Sequence, residues 1–166
     1  MARSLANDND QSNLENRESR RRLVVGIDGS QRAQEALAWA MEEADCHRYD
    51  IEIVSSWYLP QYDWADVRPP PPDPRVEMAA RTRALVMQAA ADVSAALPDI
   101  AVSEMAVEGN AASVLIELSK DADLLVIGSR GNGGFKGLVL GSVSQQCVSH
   151  AQCPVVVVRG TRHGIR

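Results

Sequence analysis

The sequence predicts an α/β fold, a three-layer α/β/α sandwich built on a five-stranded, doubly wound parallel sheet of order 3-2-1-4-5. Three observations lead there. Short, continuously apolar runs alternate with segments of helical period, and continuous apolarity marks strands covered on both faces. The resulting order, β-α-β-α-β-α-β-α-β, is that of an α/β sandwich. Finally, a glycine-bearing loop follows the fourth apolar run directly, at the edge where open parallel sheets hold ligands.

Residues 1–20 are polar, with almost no apolar content, and cannot bury enough surface to offset the entropy of ordering. They are expected to be a disordered tail. Residues 21–160 are read as a single domain and 161–166 as a short C-terminal tail. The first strand is expected over 23–27 (Leu-Val-Val-Gly-Ile), ending in Asp28-Gly29-Ser30. Ser30 is placed to cap a helix in which Ala33, Ala36, Leu37, Ala40, Met41 and Ala44 recur at helical spacing. A second strand is expected over 51–57. Residues 59–74 contain Pro60, Pro69, Pro70, Pro71, Pro72 and Pro74, which excludes helix and central strand and predicts a surface loop or lid.

The alanine-rich stretch 75–97 is helix-permissive and stops before Pro98. A third strand is expected over 100–107, partly alternating in polarity. Asn110 is placed to cap a short helix reaching Lys120, with Val114, Leu115 and Leu118 on its buried side. The fourth strand is expected over 123–128, a helix over 142–151, and a nearly pure valine strand over 154–159. Coming last, that strand would form a sheet edge, and a bare valine edge invites pairing with a second copy.

Composition excludes several function classes. The chain has 166 residues, 45% of them apolar, but only one Phe, three Trp and three Tyr. Its core must therefore be aliphatic. A net charge of −5 argues against nucleic-acid or membrane-surface binding. The Arg20-Arg21-Arg22 cluster lacks interleaved aromatics and follows Asp8, Asp10, Glu15 and Glu18, so it reads as a solvated edge. No apolar stretch is long enough to span a bilayer, and the N-terminus has no signal-like apolar segment. Three cysteines (Cys46, Cys147 and Cys153) make no disulfide framework, and a reducing cytoplasm is the expected compartment. Cys147, His150 and Cys153 supply only three zinc ligands, with Cys147 on the apolar side of a helix, so no metal site is expected there.

The chemistry is expected at Gly128, Gly131, Gly141 and Ser142, in the spacing G-x2-G-x9-G-S. Glycine lets backbone N–H groups approach a ligand closely, and a helix N-terminus adds unpaired donors and partial positive charge. A Walker A loop is excluded because no lysine stands between Gly141 and Ser142. A Rossmann fingerprint is excluded by Lys136 at the third glycine position and by the loop's place after the fourth strand. The two ends of the loop are expected to meet at one site. If the first and fourth strands are neighbours, Asp28 arrives beside it, able to accept from a ribose hydroxyl or to help hold a metal on phosphates. Arg130 and Lys136 are the loop's cations. Ser142-Val143-Ser144-Gln145 also reads as a capping box.

The opening Val24-Val25-Gly26-Ile27-Asp28-Gly29-Ser30, the G-x2-G-x9-G-S spacing and Cys153-Pro154-Val155-Val156-Val157-Val158 together resemble a universal stress protein domain. The resemblance runs from about residue 22 to 159, and its glycines are those of the nucleotide-binding branch. It implies ATP, with Mg²⁺ reachable by Asp28, as the ligand; AMP and cyclic AMP are alternatives the motif does not separate. It further implies that Gly26, Ile27 and Asp28 line the base and ribose, and that Ser56 faces the adenine. Ile127, Gly128, Arg130 and Gly131 would lie beneath ribose and phosphates, with Gly141, Ser142 and Val143 on the phosphate chain. Relatives often carry a histidine where this chain has Ser55-Ser56. The implied role is a stress-response sensor or regulator, homodimeric through residues 155–158 and acting on an unspecified regulatory partner. No catalytic residue is assigned, and turnover is at most a slow ATPase.

Overall fold

The computed structural model describes residues 21–59, 73–131 and 139–160. The expected N-terminal tail, most of the proline segment, Lys136 and the C-terminal tail lie outside the described residues. Among the described residues five strands and four helices alternate: β1 (Arg21–Gly26), α1 (Gln31–His47), β2 (Tyr49–Trp57), α2 (Pro74–Ala96), β3 (Val102–Glu108), α3 (Ala111–Leu118), β4 (Leu124–Gly128), α4 (Ser142–His150) and β5 (Val155–Val158). All strand pairs are parallel and the sheet order is β3-β2-β1-β4-β5. The expected architecture and strand order are both observed.

Two hydrophobic layers hold the sandwich together. On one face Leu23, Val25, Ile51, Ile53 and Val126 pack against Ala33, Ala36, Ala40 and Ala44 of α1 and against Val86, Ala89, Ala90 and Val93 of α2. Alanine at each contact lets α1 lie close to the sheet, so the larger strand residues fill the gap. On the other face Val24, Val54, Leu125 and Ile127 meet Leu115 of α3 and Cys147 of α4. Leu23, Val24 and Val25 are all fully buried, which is why β1 reads as an unbroken apolar run. Each such side chain contributes about 1.5–3 kcal/mol by leaving water.

Helix ends follow the chemistry of their flanking residues. Ser30 Oγ accepts the Ala33 N–H at 3.2 Å and Asn110 Oδ1 accepts the Ser113 N–H at 3.2 Å, as the sequence predicts. Pro74, expected in the loop, is instead the first residue of α2. Asp73 caps that helix, its carboxylate accepting the Arg75 N–H at 3.0 Å. Proline suits this position because its missing N–H would have had no helical partner. Helix α3 stops two residues short of Lys120. Ser119 is fully buried and its hydroxyl donates to Ile116 O at 2.6 Å while accepting the Gln152 N–H at 2.9 Å. That bond ties the end of α3 to the segment leading into β5.

Cys46, Cys147 and Cys153 are free thiols. Cys147 is fully buried against the sheet, and burial pushes its pKa up to about 11. Burial also raises the Cys153 pKa. Both pack in the apolar layer formed with α3 and α4.

A cavity at the carboxyl ends of β1, β2 and β4

A cavity of about 440 Å³ opens where β1, β2 and β4 end, within the usual range for small-molecule sites. Its position is dictated by topology. Chain order reverses direction between β1 and β4, so the loops leaving them diverge to opposite faces and leave a crevice. β1 pairs in register with β4 from Leu23–Leu124 to Gly26–Ile127. Asp28 consequently emerges beside the glycine loop. A Cβ at Gly131 would collide with the Asp28 carboxylate, so glycine here is what lets the two approach. The other side of that carboxylate is held by its own turn, Asp28 Oδ1 accepting the Ser30 N–H at 3.0 Å.

The loop ends do meet. The Gly141 N–H donates to Ser129 O at 2.8 Å. Ser144, 3% exposed, donates its hydroxyl to Gly128 O at 2.9 Å and reaches Ser129 O at 3.2 Å. Through these bonds the start of α4 is fastened to the end of β4. Ser142 is not the capping residue that the capping-box reading expects. Gly141 is the N-cap and, having no side chain, makes no side-chain cap bond; its N–H is taken by Ser129 O. The Ser142 hydroxyl is left at the exposed rim of the cavity.

All eleven residues singled out from the sequence border this cavity: Gly26, Ile27, Asp28, Ser56, Ile127, Gly128, Arg130, Gly131, Gly141, Ser142 and Val143. Strand register settles the choice at Ser55-Ser56. Ser56 shares the face of Val54 and opens into the cavity, whereas Ser55 is buried on the opposite face at 4% exposure. Sequence reading missed Val54, Ala33, Ala111 and Ser144, and it placed Val114 and Leu115 on a buried helix face without making them a cavity wall. Ser144 carried a usable signal, as a small hydroxyl residue in the first turn after the loop. The α3 residues had none, since packing against a sheet and walling a cavity look alike in a helical pattern.

The cavity thus has an apolar wall, formed by Val54, Val114, Leu115 and Ile127, and a polar rim carrying Asp28, Arg130 and Ser142. Three of the four described helices have their N-termini capped by a side chain, from Ser30, Asp73 and Asn110. The exception is α4, whose first turn borders the cavity and whose N-cap is a glycine. Uncapped first-turn N–H groups are anion donors.

Comparison with known proteins gives the family and the fold. The model of the universal stress protein family matches residues 19–159. A universal stress protein of Mycolicibacterium smegmatis is 36% identical over 143 residues, covering 86% of this chain and 47% of that protein. One from Mycobacterium tuberculosis is 30% identical over 138 residues, covering 82% and 44%. The chain spans about half the length of these curated relatives. Among solved structures, the universal stress protein UspA from Lactobacillus plantarum superposes with a TM-score of 0.71 at 23% identity, covering 85% of this chain and 99% of that one, a likeness of fold. A universal stress protein solved in complex with cAMP gives a TM-score of 0.62 at 27% identity, covering 85% and 98%. The chain belongs to the universal stress protein family.

Proposed function

We propose that the cavity binds an adenine nucleotide, ATP with Mg²⁺, and that the protein is a cytoplasmic nucleotide-responsive regulator of the stress response. The observation that carries this reading is the uncapped N-terminus of α4, opening onto a cavity that has an apolar wall at its other side. An apolar wall suits a purine, and the first turn of a helix beside Arg130 suits phosphates. Asp28 would offset its own repulsion toward phosphate by holding Mg²⁺, or would accept from the ribose. The relative solved with cAMP supports the adenine class and makes cyclic AMP the second reading. Phosphoryl transfer needs a positioned nucleophile and a means of spreading charge. The one carboxylate among the described lining residues, Asp28, is already engaged by its own turn, so turnover slower than one per second is expected.

Gly141 separates binding from folding. Its backbone is extended, with φ −76° and ψ 166°, and a Cβ there would meet nothing closer than 3.4 Å. Gly141→Ala is therefore expected to cost under about 1 kcal/mol of stability, while placing a methyl group at the anion donors and weakening nucleotide binding at least tenfold. ATP at 100 times its Kd should stabilise the wild type by about 2.7 kcal/mol, read as a rise in Tm that the variant loses at the same concentration. Identifying the nucleotide released on denaturation would decide between ATP and cyclic AMP. Absence of any shift with ATP, ADP, AMP or cyclic AMP would end the nucleotide reading.

We also propose homodimerisation through β5. The sheet order leaves this all-valine strand at an edge, and unpaired strand groups beside an apolar surface favour pairing. Val157→Arg should convert a dimer to a monomer in light scattering at micromolar concentration. A wild-type protein already monomeric there would refute the interface.

A further inference from the structure

The first turn of α4 is held by a side chain that donates rather than accepts. Helices α1, α2 and α3 are fixed at their starts by Ser30, Asp73 and Asn110, each accepting a first-turn N–H. Ser144 instead donates its hydroxyl outward, to Gly128 O at 2.9 Å and to Ser129 O at 3.2 Å. A serine hydroxyl has one hydrogen, here shared between two carbonyls. The tether therefore uses none of the helix's first-turn N–H groups, whereas a capping oxygen would occupy one of the donors with which a helix start receives an anion.

Two buried residues fix the direction of α4. Ser144 is 3% exposed, and Cys147, three residues on, is fully buried. Residues three apart share a helix face, so Cys147 anchors the middle of this nine-residue helix and Ser144 its beginning. Loss of the Ser144 hydroxyl leaves Cys147 in its apolar layer and releases the first turn. The Gly141 N–H still reaches Ser129 O at 2.8 Å, which keeps the chain close to β4. Gly141 precedes the helix, however, and does not set which way the turn faces.

Strand order separates the two ends of the cavity. Val54 and Ser56 belong to β2, and the Gly109 N–H bonded to Trp57 O at 2.8 Å brings the start of α3, with Ala111 and Val114, to the same end. Gly128 and Ser144 belong to β4 and α4, on the other side of β1. Two strand spacings put these ends about 10 Å apart. Ser144 bears on what lies at the α4 end, not on what lies against the α3 wall.

We propose that Ser144 is the positioning residue for the phosphate end of the ligand, aiming the first turn of α4 at the cavity without drawing on its backbone donors. This role rests on the adenine-nucleotide reading above, and it adds that affinity for the phosphate chain, rather than for the nucleoside, depends on Ser144. A site whose competent arrangement is only partly populated loses affinity in the same proportion. Without the hydroxyl the turn is correctly aimed in about a tenth of the molecules, the factor that corresponds to one buried hydrogen bond.

Isothermal titration of the full chain with ATP, and with adenosine up to millimolar concentration, tests the role. Ser144→Ala should weaken ATP about tenfold and leave adenosine within about twofold of the wild type. Ser144→Thr keeps the hydroxyl and should bind ATP within about threefold of the wild type. In the ligand-free Ser144→Ala protein, amide hydrogen exchange should quicken over residues 142–145 and stay unchanged in β1 and β4. Undiminished ATP affinity in Ser144→Ala, beside a wild type that binds ATP, would overturn the positioning role and leave the nucleotide reading standing. An equal loss for ATP and adenosine would overturn it as well, as general damage to the cavity, and so would a Ser144→Ala chain that fails to fold. A wild type that binds neither ligand would end the nucleotide reading itself, and this role with it.

Discussion

Gly128→Ala is expected to destabilise the fold by about 2 kcal/mol and to weaken nucleotide binding at least tenfold. A Cβ at this position would stand 2.9 Å from the carbonyl carbon and oxygen of Arg32 and 3.0 Å from its Cβ. These are backbone atoms near the start of α1 and the root of a side chain, none of which can swing aside. The end of β4 and the first turn of α1 would have to separate by several tenths of an ångström, the kind of overpacking that costs about 1–3 kcal/mol. Because Ala33 and Gly128 both border the cavity, the same displacement deforms the site. Urea unfolding and ATP titration measure the two effects. A variant with wild-type stability would show that α1 is not seated against β4 as described. The contrast with Gly141→Ala is informative, since one glycine is required by packing and the other is open to a ligand.

Arg22→Ala is expected to cost about 2–3 kcal/mol, through what it leaves behind. Glu52 lies in the second strand of the sheet at 8% exposure, and its carboxylate accepts from Arg22 Nε at 2.7 Å and from Arg22 Nη2. Taking away one partner of a buried pair strands the other charge, which typically costs 3–5 kcal/mol. The Arg22 side chain is 32% exposed, so water offsets part of that. Replacing both, as Arg22→Met with Glu52→Leu, should recover most of the loss, because an apolar pair of similar volume needs no hydration. A double-mutant cycle in denaturant checks this. A single-variant cost under 0.5 kcal/mol would mean that the pair is solvated in practice.

Much of the architecture is legible in the sequence because its determinants are local. The apolar runs, the alanine period of α1, and Ser30 and Asn110 as caps each depend on residues within a few positions. Boundaries differ by one or two residues where a tertiary bond intervenes. Helix α3 stops early where Ser119 is engaged by the Gln152 N–H, and α4 starts at Ser142 as expected but ends at His150, one residue short of Ala151. Pro74 shows a different limit. The same residue breaks a helix interior and opens a helix, and only the capping by Asp73 decides which.

By itself the sequence determined that this is a doubly wound α/β chain with a glycine loop after its fourth strand, since periodicity, punctuation and motif spacing are properties of neighbouring residues. Tertiary structure alone decided the rest. It turned Ser56 rather than Ser55 into the cavity, enlisted Val114 and Leu115 as its wall, and assigned Ser144 to fasten the loop. It also placed Asp28 against Gly131 and left α4 the one uncapped described helix. These depend on pairing register and on contacts between residues as many as one hundred positions apart, and such contacts leave no periodic trace along the chain.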